Sequence, residues 1–207
     1  MKSKTFVKIS VSFIIIGLIV FLIAGSMVSF NFAGEAGEKV DINYEVADTI
    51  SFDIKAANVS FQPTDSDKIT ISYHKEYIDV NMNDGVVSIF GSSIKNNWYN
   101  AFHFIGYIAN NEVVVFIPNS VLNVYIDSKA SRVVMDSFSF DVLNVDLKAS
   151  AMEVKNSSIA SMVVNSAASA LSINASTINI LSGKIEASGI DYSKSKINEN
   201  IIVMGWL

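Results

Sequence analysis

The sequence predicts an all-β fold: a β-solenoid-like stack of two-strand rungs of about 19 residues, preceded by one N-terminal transmembrane helix. Three observations predict it. Ala-Ser recurs at Ala130-Ser131, Ala149-Ser150, Ala168-Ser169 and Ala187-Ser188, each 19 residues after the last. Apolar columns keep that register, as in Val133, Met152, Leu171 and Ile190, or Met135, Val154, Ile173 and Tyr192, or Phe140, Ile159, Ile178 and Ile197. A run of about 24 residues from Ile9 to Phe32 carries no charge, more than the roughly 20 residues that span a ~30 Å hydrocarbon core.

Taken from the N-terminus, residues 1–8 are expected to be a cytoplasmic stub, 9–32 a signal anchor, 33–39 a tether and 40–207 an extracytoplasmic β-repeat domain. A cleaved signal peptide is the rival reading, with Ala24-Gly25-Ser26 as its site. Its apolar stretch normally ends after about 7 to 15 residues, whereas this one runs on through Met27, Val28, Phe30 and Phe32. Lys2, Lys4 and Lys8 precede the run while Glu35 and Glu38 follow it, so the positive-inside bias exports the C-terminal part. The expected location is a bacterial cell membrane, single-pass, with the N-terminus inside.

Of 15 Lys and Arg, three lie before the span, leaving 12 against 20 Asp and Glu, a net charge of −8 for the exported part. Such a surface disfavours nucleic acid and anionic lipid as partners. The chain has no cysteine, which excludes disulfides, thiol catalysis and lipidation of an N-terminal Cys.

After the tether, Val40–Val46 and Ile50–Ile54 alternate apolar and polar residues as half-buried strands do, and Val59–Phe61 resumes the pattern. Pro63 and Asp65-Ser-Asp67 mark a turn. Ile69–Tyr73 and Tyr77–Met82 read as strands, and Asn83-Asp84-Gly85 as a hairpin turn into Val86–Phe90. Regular repeats occupy 121–198. Asp53–Phe61 lines up with Asp146–Val154, so the first half also contains a rung. Small corner residues are expected because rungs stack about 4.8 Å apart and bulk would clash between copies; Ala175-Ser176 stands outside the register. The less regular region 40–117 is expected to cover one end of the stack. Ile201–Leu207 would form the last strand, with Trp206 either a lid or the residue after a turn at Gly205. Self-association through open edges is left undecided.

The anchor, Ile50–Phe61, Asp84–Ile89, Val113–Pro118 and the run of Ala-Ser-bearing repeats together resemble the bacterial "putative adhesin" family of β-strand-repeat envelope proteins, a domain of unknown function. The resemblance covers about residues 40–204. It implies an extracytoplasmic β-solenoid-like domain and relatives near envelope-stress systems, and it offers no catalytic residue to carry over.

The insert at 92–110 departs from that family. Ile94, Trp98, Phe102, Ile105 and Ala109 fit one face of a short helix. A flap over an apolar end is one reading. A second is a partner or membrane contact made by Trp98, Tyr99, Phe102 and Tyr107, and a third is a small-ligand pocket. Neither His74 nor His103 has a second metal-ligating neighbour of its kind in sequence. Asp79, Asn81, Asn83 and Asp84 lack the spacing of a twelve-residue calcium loop. No Gly-x-Ser-x-Gly elbow is present, and Asp127, Asp146 and Glu186 form no consistent acidic wall. The expectation is a non-catalytic binding or accessory module of the envelope with no cofactor. Its partner would be another envelope protein or a wall polymer. A carbohydrate-active or wall-polysaccharide-binding module and a passive spacer are the alternatives.

Overall fold

The computed structural model describes residues 38–45, 48–91 and 112–205. The span expected at 9–32, most of the tether, the insert with Trp98, Tyr99, Phe102, His103 and Tyr107, and Trp206 lie outside those residues. Among the described residues no helix is long and apolar enough to cross a membrane.

Alternating apolar and polar residues place every described element in a strand: β1 (Lys39–Glu45), β2 (Thr49–Lys55), β3 (Asn58–Thr64), β4 (Lys68–His74), β5 (Ile78–Asn83), β6 (Val86–Gly91) and β7 (Glu112–Pro118). They continue as β8 (Asn123–Lys129), β9 (Arg132–Asp136), β10 (Ser139–Lys148), β11 (Ala151–Lys155), β12 (Ser158–Ala167), β13 (Ala170–Glu186) and β14 (Gly189–Gly205). β1 opens at Lys39, the last residue of the expected tether. β3 runs through Pro63, which pairs with Ile117 in the parallel ladder with β7, so the turn there is Asp65–Asp67 alone.

The strands form two faces. The first carries β1, β4, β7, β3, β9, β11 and the starts of β13 and β14. The second carries β5, β6, β2, β8, β10, β12 and the remainder of β13 and β14. Within the repeat, neighbouring strands are parallel and 19 residues apart: Met152 sits between Val133 and Leu171, and Ile159 between Phe140 and Ile178. Those are the columns the sequence displays, and their side chains point inward, where Val133, Met152, Leu171, Ile159 and Ile178 are all buried. Phe52 and Phe61 meet across the two faces with ring centroids 4.8 Å apart. The space between the faces is one continuous apolar core.

Spatial order departs from chain order in the first half. The rung made by β2 and β3 is interior; the later rung of β6 and β7 stacks on its outer side, and β8 and β9 return to its inner side. β4 and β5 run antiparallel to β7 and β6, and β1 pairs antiparallel to β4. Region 40–117 thus closes one end with reversed strands. Asp84 (φ 50°) and Gly85 (φ 78°) supply the two left-handed residues of the expected hairpin.

Candidate functional site

Each rung turns twice, and both turns use the same local chemistry. Ala56, Ala130, Ala149, Ala168 and Ala187 have φ between 44° and 53°. Ser137, Asn156 and Ala175 hold φ 66°, 48° and 48° at the opposite edge. Ala175-Ser176, outside the Ala-Ser register in the sequence, is therefore a member of a second corner column. The alanines at 130, 149, 168 and 187 are exposed, not wedged between rungs. Their smallness answers to the left-handed backbone, where a non-glycine residue costs roughly 1–2 kcal/mol and a β-branched one more.

After every corner but Ala56 and Ser137, which Ala57 and Phe138 follow, stands a serine that satisfies backbone donors the bend removes from the ladder. On the first edge Ser131 N–H donates to Ser150 Oγ (3.3 Å), Ser150 N–H to Ser169 Oγ (3.1 Å) and Ser169 N–H to Ser188 Oγ (2.9 Å). On the second edge Phe138, Ser157 and Ser176 N–H groups donate to Ser157, Ser176 and Ser195 Oγ at 3.1–3.2 Å. Each hydroxyl then donates to a carbonyl, as Ser169 Oγ does to Ala167 (2.8 Å) and Ser176 Oγ to Asn174 (2.8 Å). These serines are structural.

Outward residues form columns as well. On the second face Asp53, Asp127 and Asp146 stack in register, beside Lys55, Lys129 and Lys148. The sequence shows no acidic wall because Asp53 lies so far upstream, and only the return of β8 onto β2 brings it in. Glu186 belongs to the lysine column instead. The like charges are compensated two residues along each strand, by Lys55–Asp53 at 2.8 Å and Lys129–Asp127 at 2.9 Å.

On the first face the outward column Arg132, Ala151, Ala170, Gly189 shrinks to very small side chains over three rungs. The result is an open groove of about 540 Å³, walled by Glu153, Ser172 and Asp191 and headed by Arg132. Glu153 is the most engaged charge there. It accepts from Lys155 at 3.1 Å and from Asn174 Nδ2 at 3.3 Å, and Arg132 stands 4.0 Å away. Asp191 at the open end is held below the ordinary carboxylate range by the Ser193 N–H, which donates to it at 3.0 Å. The groove had no sequence signal, since Ala151, Ala170 and Gly189 are unremarkable until their columns are known.

Of the remaining candidates, Gly91 and Glu112, which bound the insert, stand beside the Ala56 corner: Phe90 pairs with Lys55 and Glu112 with Asn58. Gly91 and Glu112 thus lie where other rungs turn a corner, and the insert between them lies outside the described residues. His74 ends β4 opposite Lys39. Asp79, Asn81 and Asn83 lie along β5 and enter the hairpin. Among the described residues no three His, Cys, Asp or Glu side chains are grouped to hold a metal ion.

Similar solved structures include two proteins described as a "putative adhesin". The one from Parabacteroides distasonis is 9% identical, with 82% of this chain and 79% of that chain covered and a TM-score of 0.47. That from Parabacteroides merdae is 10% identical, with 81% and 78% covered and a TM-score of 0.47. A "putative cell adhesion protein" from Clostridium sporogenes is 10% identical, with 82% and 99% covered and a TM-score of 0.34. No curated protein matches the sequence. The profile of the Toastrack DUF4097 family matches residues 47–200, from the first interior rung to the last. The resemblance carried by Ile50–Phe61, Val113–Pro118 and the Ala-Ser repeats therefore holds, and the chain belongs to the Toastrack DUF4097 family.

Proposed function

We propose that the protein is a membrane-anchored, extracytoplasmic binding module of a bacterial envelope, non-catalytic, whose first-face groove and aromatic insert engage another envelope protein. The observation that carries this reading is the groove itself. It crosses three rungs and is lined by alanine, glycine and aliphatic backbone between a single cation and two carboxylates. A trough of that shape accepts an extended segment by contact along its length, with Arg132, Glu153 and Asp191 fixing orientation. Glu153 is already engaged by Lys155 and Asn174, and Asn174 also donates to Ser172, so in this reading the polar wall serves to hold a ligand. In this reading residues 9–32 are the single span with 1–8 inside, and a flexible tether of the length expected for 33–39 has an r.m.s. reach of only about 15 Å. That geometry favours a membrane-proximal accessory role over reach beyond a thick wall.

A wall polysaccharide is the second reading, favoured by the carboxylates of the groove. Sugar rings are usually gripped by aromatic faces, and none of the described groove residues is aromatic, so a protein partner takes precedence. In-cell photo-crosslinking with probes replacing Trp98, Tyr107, Lys155 and Ser172 tests the proposal. One discrete membrane protein trapped at the groove probes, lost on Ala170→Trp with an unchanged melting temperature, is the expected result. Crosslinks to glycan alone, or to nothing, would sink it in favour of a polymer-binding module or a passive spacer.

A further inference from the structure

The two ends of the stack are finished differently. At one end β1 and β5 are reversed strands whose exposed edges carry Lys39, Asp41 and Glu45, or Asp79, Asn81 and Asn83, the usual protection against strand addition. At the other end the last complete rung, β14, pairs on one side only, with β13, among the described residues. Its final stretch Ile201-Ile202-Val203-Met204 has no charge. Ile201 and Val203 point outward beyond Ser182 and Lys184; Ile202 and Met204 point inward beyond Gly183 and Ile185. Ile201, Val203 and Met204 are 52%, 61% and 52% exposed, the most exposed large apolar side chains described. Met204 is a core position that no described rung covers.

We propose that two copies of this chain join end to end through β14, antiparallel, about a two-fold axis at Ile202. A free strand edge presents main-chain donors and acceptors that only another strand satisfies, and register decides which strand fits. Inside and outside must continue across the joint, so opposed residues share a face and the axis falls on a residue. Centring on Ile202 sets Ile201 against Val203 of the second copy, twice over, and Met204 against Asn200, while Glu199 opposes Gly205 and keeps its carboxylate in solvent. Centring on Ile201 would set Glu199 against Val203; centring on Val203 would pair Ile202 with Met204 but leave the outward Ile201 against Gly205. The register on Ile202 is the one that gives both outward apolar side chains, Ile201 and Val203, apolar partners, and the contact is isologous, so it closes as a dimer without propagating. The association goes beyond the binding role proposed above and does not depend on it.

The absence of cysteine makes the test clean. Opposed residues in an antiparallel pair lie about 4.5–5.5 Å apart at Cα, inside the disulfide range. The full chain carrying Ile202→Cys, in detergent and in membranes, should form covalent dimer under mild oxidation at least about tenfold over Ile180→Cys, which sits outward one rung away. Wild-type chain in detergent should sediment as a dimer, and Val203→Lys, at an exposed position, should sediment as a monomer with the same thermal transition. Equal crosslinking at 180 and 202 would mean collision alone and overturn the proposal. A wild-type monomer would overturn it too; amide protection of β14 in that monomer would show that another segment of the same chain covers the edge.

Discussion

Alanine at a left-handed corner is a compromise between backbone strain and chain entropy, and Ala149 shows how it resolves. Its Cβ is exposed, so the cost of a larger side chain is conformational and is not a clash between rungs. Ala149→Gly should leave stability within about 1 kcal/mol of wild type, since relief of the left-handed strain is offset by unfolded-chain entropy. Ala149→Val should lose about 1–2 kcal/mol, read by urea unfolding, without loss of the fold. The neighbouring serine matters more. Ser150 is buried, receives the Ser131 N–H and donates to the carbonyl of Lys148 or Ser128, each at 2.9 Å. Ser150→Ala strands those groups and should cost about 1–3 kcal/mol by the same measurement. Asp136 gives a pH signature. Hydrogen bonds from the Asn156 amide and then the Ser137 hydroxyl, both 2.9 Å, hold its carboxyl below the ordinary aspartate value. A depressed folded-state pKa adds stability above the unfolded value, lost as pH falls through the folded one. The melting temperature of Asp136→Asn should therefore lie below wild type at neutral pH, with the gap closing below about pH 4.

Individual strands were plain in the sequence wherever one side faces the core, because alternation reports a buried face directly. Ile50, Phe52 and Ile54 in β2 and Val113, Val115 and Ile117 in β7 are buried as alternation demands. Strand ends and irregularities were not. Gly183 lies inside β13 with φ 128°, and a Cβ there would sit 2.0 Å from the Val164 carbonyl oxygen. It occupies an inward column between Val164 and Ile202, where the pattern of other rungs calls for a branched aliphatic residue. Gly183→Ala should be more damaging than any corner substitution, losing more than about 2 kcal/mol, visible as a large drop in melting temperature. Its neighbour Gly189 meets nothing within 4 Å on adding a Cβ, so Gly189→Ala is the matched control and should be nearly neutral.

The molecule as a whole is a stack in which each rung contacts only its neighbours, so stability should be close to a sum over rungs and interfaces. Excising residues 149–167, one period from corner to corner, should give a folded protein with a lower melting temperature and the same far-ultraviolet β signature. Excising twelve residues, 149–160, should abolish cooperative unfolding, because Ala168 would then follow Ser137 by one period and set a first-edge corner on the second-edge column. By itself the sequence determined the all-β rung, its 19-residue period, the inward columns and four first-edge corners, since each follows from local periodicity or from identity between copies. Only the tertiary structure decided the rest. It showed that Ala175-Ser176 belongs to a second corner column, that β6 and β7 stack outside β2 and β3, and that Asp53 joins Asp127 and Asp146. It also revealed the groove over Ala151, Ala170 and Gly189. These depend on which strands hydrogen-bond across long stretches of chain. Alternation fixes a residue's face, but the neighbour beside it is chosen by the packing of the complete core.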